Sequence, residues 1–299
     1  MLKKYFLLLG IILLLIISCS RNIQYRDNSE IPDEVNLPLY HTWNSLNEME
    51  YGFPVSPLHD NNLTQGFFPW AGICSHHILA HDYIDAWFFN LSQMRDIQRF
   101  YILSPDHFGI SLQPYSLTTG SWDSGFGFVE SDRQKVLELI RLIDIELDPN
   151  VFMIEHGISS LMPYIKKYFP LAKVTAIIHG RESAVNTFIT SRLADVLEKE
   201  FIENKKNENF LLISADFSHG SNPDETYMND NNSIRYLKGD SNAGWNTVVC
   251  DNRAGIYILD SLGKNNLISN ILYHTNSWEI SGQGEDDITS YFFVYFADK

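Results

Sequence analysis

The stretch Phe210-Leu211-Leu212-Ile213-Ser214-Ala215-Asp216-Phe217-Ser218-His219 joins an apolar run directly to a polar cluster. The run from Phe210 to Ser214 shows no alternation of apolar and polar residues, which is typical of a strand covered on both faces. Asp216 and His219 follow directly after that run. The stretch therefore predicts a buried strand whose exit loop carries a carboxylate and an imidazole.

Four other polar clusters follow apolar stretches in the same way. They are Ser75-His76-His77, Ser104-Pro105-Asp106-His107, Glu155-His156 and Cys250-Asp251. Because the carboxyl ends of parallel strands meet at one edge of a sheet, loops from distant parts of the chain converge there. Imidazole and carboxylate groups are common metal ligands. We therefore expect a metal-centred pocket at that edge.

Helical and strand patterns alternate from about residue 65 to residue 299. Residue spacing predicts helices at Ile78–Met94, Arg133–Ile143, Ser159–Tyr168 and Thr187–Phe201, a short helix after Gly255, and strands at Phe100–Leu103, Val174–Ile178, Phe210–Ser214 and Ile288–Phe296. This alternation is typical of an α/β fold with helices on both faces of the sheet. We expect a single αβα sandwich with a largely parallel or mixed central sheet.

The N-terminal residues predict export and membrane attachment. Lys3 and Lys4 precede the apolar run Phe6 to Ile17, which is short for a membrane span but suits a secretory signal. Ile16-Ile17-Ser18-Cys19 is similar to a bacterial lipobox. We expect a lipoprotein signal peptide over residues 1–18 and lipidation of Cys19, with an uncleaved anchor as the alternative. Either interpretation places the domain outside the cytoplasm, on the inner or the outer membrane.

The composition excludes one class of partner. The chain has 37 acidic and 22 basic residues, a net charge of -15, and removing the signal with its two lysines gives -17. Such an acidic surface repels phosphate backbones, so we expect no nucleic-acid partner. Residues 19–64 are rich in Asn, Asp, Glu and Pro, which predicts a tether and an irregular N-terminal segment before a domain at 65–299.

The five polar clusters occur in the order seen in Memo-like proteins. In bacteria these are called AmmeMemoRadiSam system protein B, and they resemble class III extradiol dioxygenases in fold. The resemblance spans roughly residues 66 to 297 and implies an αβα sandwich with a metal pocket. Gly157 and Ser159 stand where the family often has Ser and Glu, which leaves the substrate open. The motifs that carry it are Ser75-His76-His77-Ile78-Leu79-Ala80, Ser104-Pro105-Asp106-His107-Phe108-Gly109, Glu155-His156-Gly157-Ile158, the 214–219 segment quoted above and Asp251-Asn252-Arg253-Ala254-Gly255.

The resemblance also implies metal ligands. His76 and His107 match the two ligand histidines of the family. Asp251 lies nearest the third ligand position, which holds a cysteine in Memo-type proteins and a glutamate in the dioxygenases. Cys250 and His77 remain alternative ligands.

The resemblance implies further roles around those ligands. His219 matches the acid/base histidine of the dioxygenases, and Asp216, Glu155 and His156 match inward-facing positions beside the ligands. Ordinary explanations remain open. His219 could be a loop histidine held by Asp216, Asp251 could be the N-cap of the helix that follows, and His179 is best explained by a structural role.

The donor set constrains the metal only loosely. Two imidazoles and one carboxylate leave open positions on iron(II), which we favour, while the same set suits zinc with a bound water. Replacement of Asp251 by Cys250 as the ligand would favour copper or zinc. We expect a dioxygenase-type oxidoreductase acting on an unknown small molecule, with a non-catalytic metal-binding or redox-responsive protein and a zinc-type hydrolase as alternatives. Cys74 and Cys250 could form a disulfide or remain free.

Overall fold

The computed structural model describes residues 37–41, 58, 66–180, 185–202 and 206–299. These residues belong to one compact unit, Leu37–Lys299. The predicted signal peptide, Cys19 and most of the predicted tether lie outside the described residues and stay predictions. Within the described ranges, none of the helices has both the length and the hydropathy of a membrane span.

Two sheets are built from the described strands. The strands are β1 Leu39–His41, β2 Ala71–Cys74, β3 Arg99–Pro105, β4 Tyr115–Leu117, β5 Ser121–Asp123, β6 Phe128–Glu130, β7 Lys173–His179, β8 Asn209–Ser214, β9 Leu267–Asn276 and β10 Ser290–Asp298. Strands β1, β5 and β6 form a small three-stranded sheet, and the others form a seven-stranded sheet in the order β4-β7-β3-β8-β2-β10-β9.

The large sheet is mixed. Strands β7, β3, β8 and β2 run parallel to one another, while β4 is antiparallel to β7 and β10 is antiparallel to both β2 and β9. The predicted α/β fold with a largely parallel or mixed sheet is confirmed. Because these four adjacent strands are parallel, their carboxyl ends lie along one edge, where the polar clusters of His76, His107 and Asp216 follow.

The strand β8 shows why the sheet is a buried centre. All six of its residues are buried. Phe210 and Leu212 belong to one apolar cluster, and Leu211 and Ile213 belong to another. Since successive side chains of a strand point to opposite faces, β8 is covered on both sides. Each such large apolar side chain stabilises the fold by roughly 1.5–3 kcal/mol.

Helices cover the sheet. Helix α2, Arg133–Ile143, shows how the sequence forms such a helix. The Asp132 side chain caps its N-terminus by accepting a hydrogen bond from Lys135 N at 3.1 Å. Val136, Leu139 and Ile143 are buried on one face of the helix. The described helices are α1 His81–Met94, α2 Arg133–Ile143, α3 His156–Ser159, α4 Met162–Tyr168, α5 Thr187–Glu198, α6 Pro223–Leu237, α7 Arg253–Gly263 and α8 Ser277–Ser281, with 3-10 turns at Ile78–Ala80, Val151–Met153 and Trp245–Thr247.

Several elements differ from the sequence prediction. The helix predicted at Ile78–Met94 begins as a 3-10 turn, and the helix predicted at Ser159–Tyr168 is divided between α3 and α4. The long helix α6 was not predicted, since Thr226, Asp230 and Ser233 are among the residues it buries and polar residues there hide the helical period. The strand β9 was also missed.

The compact unit begins before the predicted boundary at residue 65. Strand β1 lies within the predicted tether and pairs with β5 in parallel. Tyr40 is buried, and its hydroxyl lies 2.6 Å from Thr118 Oγ1. A buried, hydrogen-bonded aromatic side chain of this kind belongs to the domain core.

Candidate metal centre

Three adjacent parallel strands each deliver one polar side chain to the same edge of the sheet. His76, His107 and Asp216 each follow the last residue of their strand, β2, β3 or β8, by two positions. The strands β3, β8 and β2 are neighbours in the sheet. Equal spacing after neighbouring parallel strands therefore brings two imidazoles and a carboxylate together.

Asp251 completes this group from the loop before α7. Its backbone N–H donates to Asp216 O at 3.0 Å, and its Oδ1 accepts from Asp216 N at 3.1 Å. Helix α7 is capped by Asn252 Oδ1, which accepts from Gly255 N at 2.8 Å. Because Asn252 is the cap, the carboxylate of Asp251 is directed to the site, and its N-cap explanation is wrong.

One oxygen of Asp251 faces the Nε2 atoms of three histidines. Its Oδ2 lies 3.6 Å from His76 Nε2, 3.4 Å from His107 Nε2 and 3.7 Å from His219 Nε2. Two donors that each lie about 2.1 Å from a common ion stand roughly 3.0–3.5 Å apart. The Asp251–His107 distance lies within this range and the Asp251–His76 distance lies just above it, so Asp251 Oδ2 is spaced to share an ion with either imidazole.

A second carboxylate faces His76. Asp216 Oδ2 lies 3.6 Å from His76 Nε2, and both side chains are almost fully buried. Ser75 Oγ donates to the other oxygen of Asp216 at 2.5 Å. The sequence placed Asp216 beside the ligands, and the geometry makes it a potential donor, since His76, Asp216 and Asp251 offer atoms within 4.8 Å of one another.

His107 is held by a buried glutamate. Its Nδ1 lies 2.6 Å from Glu155 Oε1, and its backbone N–H donates to Glu155 Oε2 at 2.9 Å. A carboxylate that binds Nδ1 leaves Nε2 directed to a ligand, the usual support of a metal-bound histidine. Glu155 thus lies where the sequence placed it, beside a predicted ligand.

The electrostatics of the site divide the histidines. Burial lowers the pKa of His76 to about 4. Burial also opposes the charge of His107, but hydrogen bonds to Asp251 and Glu155 outweigh it and raise the pKa of His107 to about 10. Without a cation, His107 therefore supplies positive charge to the site.

The two aspartates are shifted in opposite directions. Burial raises the pKa of Asp216 to about 6, with the nearby Asp251 charge acting in the same direction. Burial acts against ionisation of Asp251 as well, yet the His107 and His219 imidazoles that face it hold the pKa of that carboxyl well below its usual range. Asp251 is therefore the permanent anion at the centre of the site.

His156 lies against the same imidazoles. Its ring centroid is 4.2 Å from that of His107 and 5.3 Å from that of His76. The three histidines offer ring nitrogens within 4.8 Å of one another. The site therefore contains an imidazole-rich donor group and a carboxylate-rich donor group, and His76 belongs to both.

The alternative ligands are directed elsewhere. The His77 ring stacks on Tyr291 with centroids 5.5 Å apart, and Tyr291 Oη lies 2.9 Å from its Nδ1. Cys250 packs against the apolar cluster that contains Leu211 and Ile213. Cys74 and Cys250 are both free thiols, so the disulfide alternative is wrong. Within the described residues, neither His77 nor Cys250 belongs to a group spaced for a metal.

His219 lies at the mouth of the site. Half of its side chain is exposed, and its Nε2 is 3.7 Å from Asp251 Oδ2. That carboxylate raises the pKa of His219 above its ordinary value. Contact with both the central carboxylate and solvent suits a group that exchanges protons.

Sequence reasoning missed two buried residues that organise the site. Ser214 Oγ lies 3.0 Å from His76 Nδ1. Asn252 Nδ2 donates to Leu103 O and to Ser214 O, both at 2.9 Å, and its Oδ1 lies 3.0 Å from His179 Nε2. These contacts give His179 a structural role. Only the Asn before Arg253 carried a signal in sequence, as a second possible N-cap beside Asp251.

Known proteins resemble much of this chain in sequence. The family model described as "Memo-like protein" matches residues 69–259. A MEMO1 family protein of Caldivirga maquilingensis is 25% identical over 183 residues, which cover 60% of this chain and 62% of that protein. A MEMO1 family protein of Pyrobaculum aerophilum is 25% identical over 207 residues, covering 66% and 72%. The chain thus matches just under two thirds of the length of the first of these relatives.

Among the solved structures that are similar is the crystal structure of an uncharacterized protein from Escherichia coli K12, with a TM-score of 0.47 and 11% sequence identity. The match covers 77% of this chain and 100% of that chain.

Proposed function

The chain belongs to the Memo-like family, and from this premise we propose that it is a membrane-tethered extracytoplasmic protein that binds a divalent metal ion and acts as a dioxygenase-type oxidoreductase. The metal ligands are His76, His107 and Asp251, and iron(II) is the favoured ion, with copper or zinc as alternatives. The observation that carries the proposal is the approach of both imidazoles to Asp251 Oδ2, at 3.6 and 3.4 Å.

The donor set supports a divalent ion. Asp251 provides a permanent negative charge, and Glu155 fixes His107 so that its Nε2 faces the same oxygen. A bound ion would supply open coordination positions for a small substrate and for oxygen. Asp216 adds a second carboxylate at 3.6 Å from His76 Nε2 and stabilises positive charge at the site.

His219 is the proposed proton-transfer residue. Its Nε2 faces Asp251, while the exposed half of the ring contacts solvent. The raised pKa favours a protonated ring in the metal-free site. A cation beside Asp251 would offset the carboxylate charge that raises this pKa, so the ring would release a proton from Nε2 more readily.

The tether is supported by the sequence alone. Lys3, Lys4, the apolar run that follows and Cys19 form the lipoprotein pattern. We expect a fatty-acid label to enter the wild-type protein and not C19A, and the wild type to sediment with membranes. Unlabelled wild-type protein in the soluble fraction would contradict the tether.

Metal analysis tests the pocket and separates the alternatives. We expect iron after anaerobic purification, oxygen uptake with substrate, and loss of iron in H107A. H81A is the matched control, since His81 is half-exposed on helix α1. Zinc without oxygen uptake would indicate the hydrolase, and metal without any turnover would indicate the non-catalytic binding protein. A wild type without metal would refute the proposal.

A further inference from the structure

A serine at the end of β8 fixes the protonation pattern of His76. Ser214 is fully buried, and its Oγ lies 3.0 Å from His76 Nδ1. The same hydroxyl donates a hydrogen bond to Gly157 O at 2.5 Å. Since a hydroxyl has one hydrogen and a carbonyl only accepts, Ser214 accepts from His76. His76 therefore carries its proton on Nδ1, and Nε2 carries the lone pair.

This tautomer is the one that binds a cation. The Nε2 of His76 faces Asp216 Oδ2 and Asp251 Oδ2, each 3.6 Å away. With its proton on Nε2 instead, the ring would direct an N–H at these carboxylates and offer no electron pair to an ion. In the metal-free site the two carboxylates thus favour the Nε2–H tautomer, which cannot bind the ion through Nε2. The Ser214 hydroxyl opposes that preference.

Gly157 connects this arrangement to the second imidazole. Its N–H donates to Glu155 Oε1 at 2.8 Å, the same oxygen that contacts His107 Nδ1. A Cβ at position 157 would collide with Ser104 Oγ and would lie 3.2 Å from His107 Cε1. The two backbone groups of this glycine therefore fix the two side chains, Ser214 and Glu155, that orient the imidazoles.

We infer that Ser214 is a positioning residue for the metal site, which holds His76 in its Nδ1–H tautomer from an anchor on the Gly157 carbonyl. The inference rests on the proposed metal function, but it concerns His76 before an ion binds. It can therefore be tested in metal-free protein as well as through metal affinity.

The test compares S214A and S214T in the full chain. We expect nitrogen NMR of 15N-histidine-labelled, metal-free wild type to show His76 protonated at Nδ1, and S214A to show it protonated at Nε2. Zinc, titrated against a chromophoric chelator, should bind about 10–100-fold more weakly to S214A. S214T keeps the hydroxyl and should restore both readouts.

S233A is the matched control. Ser233 is also fully buried, donates to Asn229 O at 3.1 Å and accepts from Val249 N at 3.1 Å. We expect the His76 tautomer and the zinc affinity of S233A to equal those of the wild type. Thermal unfolding checks that each variant folds, and if the extra methyl of S214T prevents folding, S214A against S233A decides.

Two outcomes separate this inference from the proposed function. An S214A variant that keeps the Nδ1–H tautomer and the wild-type zinc affinity would overturn the role of Ser214. A wild type that binds no zinc or iron but loses the Nδ1–H tautomer in S214A would refute the metal function and still support the contact between Ser214 and His76.

Discussion

Glu155 holds His107 at two points, since its Oε1 lies 2.6 Å from His107 Nδ1 and its Oε2 accepts the His107 backbone N–H at 2.9 Å. The glutamate side chain is fully buried. A buried carboxylate in this position fixes both the ring orientation of His107 and the direction of its Nε2. The proposed metal site therefore depends on a residue that is not itself one of the proposed ligands.

Replacement of this carboxylate tests that dependence. E155Q removes one of the two carboxylates that raise the pKa of His107, so we expect the pKa to fall from about 10 and the zinc dissociation constant to rise about 10–100-fold. NMR titration and chelator competition measure the two effects. E130Q, at an exposed position of β6, is the control. Unchanged affinity in E155Q would show that the contact is only structural.

The stability of metal-free protein should depend on pH through His107. The pKa of His107 is about 10 in the folded protein and 6.5 in the unfolded chain. Protonated His107 therefore stabilises the fold fully below pH 6.5, and this stabilisation is lost as the pH rises toward 10. One such proton gives a slope of up to about 1.4 kcal/mol per pH unit. Denaturant unfolding with a chelator present measures it. H107N should flatten the slope, and an equal slope in H107N would contradict the assignment.

The sequence predicted the part of the fold that follows from local patterns. The apolar run of β8 and the polar residues behind it predicted a buried strand with Asp216 at its exit. Parallel pairing then predicted that His76 and His107 meet at the same edge. These inferences hold because a buried strand, and the polar residues that follow its carboxyl end, can both be recognised within a short stretch of sequence.

The remainder depends on contacts that a local pattern does not contain. Asp251 and Asn252 both suit an N-cap, and only the three-dimensional contacts of Asn252 decide between them. Ser214 is an ordinary strand-end serine until its hydroxyl is seen between His76 and Gly157. The roles of Asn252 and Ser214 therefore escaped prediction, because their partners are distant in sequence.

The close approach of Gly157 and Ser104 predicts a compensating pair of substitutions. A Cβ at position 157 would collide with Ser104 Oγ. We expect G157S to destabilise the protein by about 1–3 kcal/mol, and S104G/G157S to recover part of that loss because the hydroxymethyl group moves from one residue to the other. A double-mutant cycle by denaturant unfolding measures the coupling. Strictly additive effects would refute it.

The two donor groups predict different metal preferences. Carboxylates suit manganese(II), while imidazoles suit zinc and copper. D216N should therefore weaken manganese binding more than zinc binding, and H156Q should do the reverse. Competition titrations with both ions measure this in each variant. Equal losses for both ions in each variant would mean that one fixed donor set serves every metal.

The third ligand can be tested by comparing neighbours. Cys250 packs in an apolar cluster, where burial raises the pKa of its thiol. The thiol therefore stays protonated, whereas metals bind the thiolate. Asp251 Oδ2 instead faces His76 and His107. We expect C250A to keep the wild-type zinc affinity, and D251N to lose it by a factor of at least about ten. Far-UV circular dichroism confirms that both variants fold. If C250A lost zinc and D251N retained it, the Cys250 thiol would be the ligand. The loop before α7 would then have to change conformation on metal binding, so that the Cys250 side chain takes the place of Asp251.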